Sequence, residues 1–253
     1  MLCLWSITLA CITEGKVRGN EGEAVHGWLF NNLRNLSPEI ASRWHEVQVK
    51  PFRVSFKNFS AGKNYVQGDT ATLMIGAATF EAVHFIGELI QKIDCVKLGT
   101  AIFLMKETSI LQQITYDDLI QSSFTSVSTK ERKVQFLSPT TFRSEGVHIL
   151  FPTPELFFSG LGRKFNALYQ KPFPPFSINW DREILINRYR LQTTNVSFVK
   201  YKIVSFTGDM IFSPTGNNIS DYTVSIFKLL CDFANYMGIG YKSTMGLGHV
   251  KIV

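Results

Sequence analysis

The stretch "QSSFTSVSTK", Gln121 to Lys130, divides the sequence into two halves that repeat one order of secondary-structure elements. It is rich in serine and threonine, a composition typical of a connecting segment. We therefore predict an N-terminal domain over residues 1–125 and a C-terminal domain over residues 126–253.

The pattern of apolar residues on either side of this stretch predicts the element order βαββαβ twice. In the first half the predicted elements are a strand over 2–13, helices over 22–35 and 38–45, strands near 51–59 and 64–75, a helix over 78–92 and a strand over 95–105. In the second half they are a strand over 132–143, a helix over 153–168, strands near 182–196 and 199–213 that could pair as a hairpin, a helix over 220–236 and a final strand. Two such units in tandem predict an α+β fold of two ferredoxin-like (RRM-like) domains, each with its helices on one face of an antiparallel sheet.

The composition excludes several broad classes of protein. With 45% hydrophobic and 13% aromatic residues, the 253-residue chain can bury a substantial core, which argues against intrinsic disorder. The four cysteines form no CxxC pair or Cys/His cluster, so neither a disulfide framework nor a metal site is indicated, and a reducing, cytoplasmic setting is expected. The N-terminal run "MLCLWSITLACI" has no preceding basic residue and alternates like a buried strand, and no run of about 18 apolar residues occurs, so neither a signal peptide nor a membrane span is expected.

The excess positive charge lies entirely in the second half. Residues 1–129 carry 11 Lys and Arg against 12 Asp and Glu, whereas residues 130–253 carry 15 against 8. This asymmetry is compatible with an ordinary basic surface, but it is also the pattern expected of a protein that binds a polyanion such as a nucleic acid.

Four glycines are concentrated between the last predicted helix and the last strand, in "MGIGYKSTMGLGHVKIV", Met237 to Val253. They are Gly238, Gly240, Gly246 and Gly248. A helix end and a tight turn need only one or two glycines. Positions without Cβ would let a ligand approach the backbone and leave N–H groups free for phosphate oxygens, and Lys242, Ser243 and Thr244 would add a charge and hydroxyls. We therefore predict a backbone cradle for phosphates here.

This stretch is similar to the C-terminal glycine-rich loop of the Cas6 family, the CRISPR repeat-RNA endoribonucleases, whose usual form is GhGxxxxxGhGxh with h apolar. Two further stretches resemble the same family: "HGWLFNNLRNLSPEIASRWHEV", His26 to Val47, and "FLSPTTFR", Phe136 to Arg143. The resemblance spans nearly the whole chain. It implies tandem ferredoxin-like domains with a C-terminal glycine-rich loop.

The resemblance also implies an activity and a partner. The family's chemistry is metal-independent and needs no cofactor: the ribose 2′-OH attacks the adjacent phosphate, which leaves a 2′,3′-cyclic phosphate and a 5′-OH. The substrate would be CRISPR precursor RNA, cut within its repeats to make guide crRNA for antiviral defence. Other Cas proteins or fused domains are possible further partners, and no membrane is involved.

The catalytic residues implied by the resemblance are His45 and Lys50, since archaeal members carry a histidine and a lysine at closely similar spacing. His45 falls in the last turn of a helix capped by Ser37, where the helix C-terminus favours a cation. Phe30 stands where those members have a tyrosine, so another group must move that proton, and His26, one helical turn earlier, is the candidate. Both histidines could instead be packing or surface residues. The other histidines, predicted on a helix face or on strands without an identified partner, are His84, His148 and His249.

RNA binding is expected to draw on the basic second half. The candidate side chains are Arg143, Arg163, Lys164 and Lys242, each of which could alternatively be a solvated surface charge. Unpaired bases could stack on some of the many aromatic rings, although most of those rings must form the core.

Two other functions are compatible with parts of this pattern. The first is a non-cleaving crRNA-binding subunit of a CRISPR effector complex, which a replaced catalytic histidine would indicate; here two histidines are present. The second is a nucleotide-binding metabolic domain, which would need a glycine loop after a strand and a carboxylate set for magnesium. We find neither in the sequence. The endoribonuclease implied by the resemblance is therefore our prediction, and the non-cleaving subunit stays its alternative.

Overall fold

The computed structural model describes residues 1–57, 62, 64–125, 131–171, 173, 176–215 and 219–253. In the first half the elements are β1 (Leu2–Thr13), β2 (Gly15–Lys16), α1 (Glu21–Leu36), α2 (Pro38–Glu46), β3 (Phe52–Lys57), β4 (Asn64–Tyr65), β5 (Thr70–Ala77), α3 (Phe80–Lys92), β6 (Cys95–Leu98), β7 (Ala101–Ile114) and α4 (Tyr116–Thr125). In the second half they are β8 (Arg132–Thr140), β9 (Phe142–Ser144), β10 (Val147–Ile149), a π-helical turn (Glu155–Ser159), α5 (Gly160–Leu168), α6 (Trp180–Glu183), β11 (Ile184–Ser197), β12 (Lys202–Pro214), α7 (Asp221–Met237), a 3₁₀ turn (Ser243–Met245) and β13 (Val250–Ile252).

Two antiparallel sheets organise these elements. The first has the strand order β3-β5-β1-β7-β6, and the second has the order β11-β12-β8-β13. In the first sheet β1 lies beside β5, and in the second sheet β8 lies beside β12. A βαββαβ unit requires this neighbouring of its first and third strands. The predicted α+β fold of tandem ferredoxin-like domains is therefore confirmed.

Local sequence signals explain where the helices near the site begin. The Asn20 side chain accepts a hydrogen bond from the Gly22 N–H at the start of α1, and Ser37 does the same for Ile40 at the start of α2, with Pro38 at the first helical position. The apolar stripe of α1 buries Val25, Trp28, Leu29 and Leu33 against the first sheet.

Helix α7 is buried on almost every side because it packs against both sheets. Its residues Ile226, Phe227, Leu230 and Phe233 belong to the core of the second half. Its C-terminal end approaches the first sheet so closely that a Cβ on Gly76 of β5 would lie 1.9 Å from the carbonyl oxygen of Tyr236. The segment that follows α7 therefore begins next to the first sheet.

The predicted linker over 121–130 is wrong for its first five residues. Residues 121–125 form the last part of α4, and residues 126–130 lie outside the described residues. Helix formation there has a tertiary cause: Tyr116 and Leu119 are buried in the same core as α7. Because α4 packs with the second half, the domain boundary at 125/126 stays a prediction.

Smaller differences concern strand ends. The predicted strand over 64–75 is two strands, β4 and β5, and the one over 95–105 is a hairpin of β6 and β7 that turns at Gly99 with φ 63°. Within the described residues, no helix has both the length and the apolar character to cross a membrane.

Candidate functional site

The three predicted catalytic side chains lie together beside the glycine-rich segment that follows α7, residues 238–248, which we call the C-terminal segment. His26 is on α1, His45 is in the last turn of α2, and Lys50 precedes β3. Phe30 lies between the two imidazole rings, with its ring centroid 4.7 Å from that of His26 and 5.8 Å from that of His45. Phe52 packs under the cluster, 6.1 Å from the His26 ring.

His26 has a defined tautomer. Its Nδ1 atom lies 3.1 Å from the backbone carbonyl oxygen of Thr244. A carbonyl oxygen only accepts, so Nδ1 carries the hydrogen, and in the neutral ring Nε2 keeps its lone pair. Burial is the main cause that lowers the pKa of His26, to about 4; the Thr244 carbonyl raises this pKa, and the charges of Lys50, Lys242 and His45 lower it. At neutral pH His26 is therefore a neutral base.

Lys50 is held at the C-terminal end of α2. Its Nζ donates to the carbonyl oxygens of His45, 3.2 Å away, and Val47, 2.9 Å away. These are carbonyls that a helix end leaves without an intrahelical partner. Partial burial lowers the pKa of Lys50. Lys50 therefore bonds to the backbone of His45, which is exposed, and also lies at the edge of a basic groove.

The groove consists of two adjoining cavities. The larger, about 540 Å³, runs from residues 48–50 to residues 240–245, and the smaller, about 190 Å³, reaches Arg143. Both are lined by Arg163, Lys164 and Tyr241, and no Asp or Glu is among the described residues that line either one. The lining is thus suited to a polyanion. Arg143 lines the smaller cavity, and its Nη1 donates to the Tyr241 hydroxyl over 3.0 Å.

The glycines of the C-terminal segment serve a different purpose from the one predicted. All four have positive φ, between 59° and 91°. A Cβ would lie 2.5 Å from the Gly248 carbonyl oxygen at Gly238, 2.5 Å from the Thr141 carbonyl oxygen at Gly240, 3.0 Å from the Gly22 Cα at Gly246 and 1.8 Å from the Ile239 carbonyl oxygen at Gly248. The missing side chains make room for the protein's own backbone. A role for the segment in RNA contact stays a prediction, but the space argument behind it is wrong.

Two predicted RNA-binding lysines hold this segment in place. Lys164 Nζ donates to the carbonyl oxygens of Met237 and Gly238, each 3.2 Å away, and to the hydroxyl of buried Ser243 at 3.3 Å. Burial, followed by the charge of Arg53, lowers the pKa of Lys164 to about 8. Lys242 Nζ lies over three aromatic rings. Both ammonium groups therefore contact the protein itself, whereas Arg163 is exposed in the groove.

A buried polar network that no sequence pattern predicted lies beneath the segment. Arg53 on β3 is fully buried and donates to the carbonyl oxygens of Tyr236 at 2.7 Å and Asn235 at 2.8 Å, which close the end of α7, and to the Ser55 hydroxyl at 3.0 Å. Ser55 Oγ is 3.0 Å from Nδ1 of His249, so His249 does have a partner. Burial lowers the pKa of Arg53 to about 9 and, together with the charges of Arg53 and Lys57, lowers that of His249 to about 2.

Comparisons with known proteins agree with this architecture. The family model described as CRISPR-associated endoribonuclease Cas6 matches residues 134–250. CRISPR-associated endoribonuclease Cas6 of Mycobacterium tuberculosis (strain CDC 1551 / Oshkosh) is 24% identical over 244 residues, which cover 91% of this chain and 71% of the relative. The Streptococcus thermophilus protein of the same name is 24% identical over 231 residues, 90% of this chain and 89% of the relative. This chain is similar to the Cas6 family along most of its length.

A solved Cas6 product complex has the same fold. It superposes with a TM-score of 0.84 at 20% sequence identity, and the match covers 100% of both chains. In this chain, the C-terminal segment crosses from the second sheet to α1 and β3 of the first half. The candidate site thus lies where the two halves meet.

Proposed function

We propose that this protein is a Cas6-type, metal-independent endoribonuclease that cleaves CRISPR precursor RNA within its repeats to make guide crRNA. The names of the curated relatives and the bound product of a solved relative support the substrate class. The observation that carries the proposed mechanism is the hydrogen bond from His26 Nδ1 to the Thr244 carbonyl.

In this mechanism His26 is the general base. Its Nε2 lone pair takes the proton of the ribose 2′-OH, and the 2′-oxygen attacks the adjacent phosphorus in line. The bond from phosphorus to the 5′-oxygen breaks, and His45 in its imidazolium form gives a proton to that leaving oxygen. The products are a 2′,3′-cyclic phosphate and a 5′-OH, so that atoms and charges balance without a metal ion.

The remaining groups bind and stabilise charge. Lys50, whose ammonium donates to the His45 carbonyl, stabilises the extra negative charge on the phosphorane oxygens. Arg163 and Arg143 contact flanking phosphates along the groove. Phe30 has no hydroxyl, and its part is to pack against both imidazole rings, at 4.7 Å from the His26 ring and 5.8 Å from the His45 ring.

The test is cleavage of the cognate repeat RNA in excess EDTA. We expect one cut per repeat at an unchanged rate, with a 5′-OH end that polynucleotide kinase labels directly. The 3′ end should resist labelling until acid opens the cyclic phosphate and a phosphatase removes the resulting monophosphate. An RNA with a 2′-deoxyribose at the scissile position is the matched control and should bind without being cut. A rate that depends on magnesium would contradict the proposal, and tight binding with no cut in the all-ribose RNA would favour the non-cleaving subunit.

A further inference from the structure

Lys242 occupies a cage of three aromatic rings. Its Nζ lies 5.2 Å from the ring centroid of Phe198, 5.5 Å from that of Tyr201 and 5.2 Å from that of Tyr241. Phe198 and Tyr201 stack on each other, with centroids 5.0 Å apart, at the turn that joins β11 to β12. The cation thus connects the C-terminal segment to the tip of the long hairpin.

The hairpin tip is also attached to helix α1. The Val199 N–H donates to Oε2 of Glu23 over 2.9 Å, one turn before His26 on the same helix. Beside it, Val196, Phe198 and Ile203 form a small apolar cluster with Leu247 of the C-terminal segment. The tip therefore contacts both elements that meet at the hydrogen bond of His26.

The backbone of Lys242 determines where the Thr244 carbonyl points. Lys242 has left-handed dihedral angles, φ 57° and ψ 36°, which a lysine adopts only when its surroundings enforce them. Its carbonyl oxygen accepts from the Met245 N–H at 2.8 Å and the Leu247 N–H at 3.4 Å, and these bonds close the turn that contains Thr244. Thr244 is two residues from the caged ammonium and presents its carbonyl to His26.

We infer that Lys242 is a positioning residue for the general base, an inference that rests on the proposed function. The aromatic cage on the hairpin tip holds Lys242, Lys242 holds the turn, and the turn holds the Thr244 carbonyl against Nδ1 of His26. The hairpin of the second half thereby determines which nitrogen of a histidine in the first half carries its proton. In the competing arrangement, Lys242 leaves the cage and pairs directly with an RNA phosphate.

Four variants separate these two arrangements. Lys242→Met removes the charge and keeps the length of the side chain, and Lys242→Arg restores a cation that can lie over the rings. Tyr201→Leu removes one ring of the cage without altering any charge. Lys200→Met is the matched control, because Lys200 is exposed on the same hairpin turn. Each variant is assayed for single-turnover cleavage at saturating protein, for affinity towards the 2′-deoxy RNA, and by ¹⁵N NMR of the histidine rings without RNA.

We expect Lys242→Met and Tyr201→Leu to cleave roughly 10- to 100-fold more slowly, the loss typical of a displaced catalytic group. Affinity should change little, and the NMR spectra should show His26 losing its Nδ1–H tautomer. Lys242→Arg and Lys200→Met should resemble the parent. The inference is overturned if the tautomer is unchanged in Lys242→Met, or if that variant loses affinity and salt dependence while Tyr201→Leu does not, since Lys242 would then be a phosphate contact. The NMR measurement needs no cleavage, so it tests the positioning even if the proposed function fails.

Discussion

His26 on α1 donates its Nδ1 hydrogen to the carbonyl of Thr244, a residue 218 positions later in the chain, over 3.1 Å. This hydrogen bond joins the first helix of the chain to its last loop. It also selects the tautomer, since the nitrogen that faces away from Thr244 is the one that can take a proton. The same hydrogen bond therefore holds the two elements together and sets the tautomer that the proposed base needs.

The variant His26→Asn should separate these two aspects. The asparagine amide can occupy the place of Nδ1 and keep the bond to Thr244, but it provides no base. We expect single-turnover cleavage to fall by about two to four orders of magnitude with little change in affinity for the 2′-deoxy RNA. His84→Asn is the control, because His84 is exposed on α3 and lies beside Glu88. If His26→Asn cleaves at the parental rate, His26 is not the base.

His45 should be equally necessary as the general acid. His45→Ala removes a ring that is exposed at the end of α2 and contacts Phe30 at its edge, so we expect almost no change in the free energy of unfolding. Cleavage should fall by about two to four orders of magnitude. The loss should be largest for the natural 5′-oxygen leaving group, and a 5′-thio substitution at the scissile bond, which leaves without protonation, should restore most of the rate. A persistent defect with the thio substrate would assign His45 another role.

Acid should destabilise the protein through His26. The unfolded side chain binds a proton below its ordinary pKa of 6.5, but the folded one does so only below about 4. Between these values the unfolded state binds more protons, so stability is full above 6.5 and is lost as pH falls towards 4. By urea unfolding at pH 7.5 and 4.5, we expect the parent to lose about 1–3 kcal/mol more than His26→Asn. His249 contributes equally to both proteins. Equal losses would contradict the low pKa of His26.

Gly248 should be needed for folding and not only for RNA binding. An alanine there would have φ 71° and a Cβ 1.8 Å from the Ile239 carbonyl oxygen, so we expect Gly248→Ala to cost more than about 4 kcal/mol or to prevent folding. Gly146→Ala is the matched control: its φ is 83°, but nothing lies within 4 Å of the added Cβ, and strain alone should cost about 1–2 kcal/mol. Chemical denaturation of both variants is the measurement. Similar values for the two would mean that the close approach of backbone at Gly248 is not rigid.

Arg163 and Lys164 are neighbours in sequence, but their substitutions should have different effects. Arg163→Ala should weaken RNA binding and lower the slope of log affinity against log salt by about one unit, with stability unchanged. Lys164→Met should chiefly lower stability, because three protein acceptors lose their donor. Lys97→Ala, an exposed charge on β6 outside the groove, should change neither quantity. Loss of salt dependence in Lys164→Met with normal stability would show that its ammonium leaves the protein to meet the RNA.

Much of this molecule follows from local patterns in the sequence. Periodic apolar residues predict α1, and together with the cap Ser37 they predict α2, to within one residue at each end. The same reading places His45 in the last turn of α2 with Lys50 just beyond it. The spacing of the glycines in the C-terminal segment marks an unusual backbone, but all four positions have positive φ, whereas a helix end and a turn are expected to need it at only one or two. Such features depend on neighbours a few residues away.

Only the tertiary structure decided the rest, because the decisive contacts join residues far apart in the chain. Residues 121–125 are helical because α4 packs with α7. Arg53 and Ser55 alternate with buried residues of β3, so the pattern alone predicts a solvent-facing side; α7 covers that side, and Arg53 bonds to carbonyls 182 and 183 residues away. What fills the space beside each glycine, and which nitrogen of His26 carries its proton, likewise depend on how the two sheets pack around the C-terminal segment. No spacing within a single element encodes those distances.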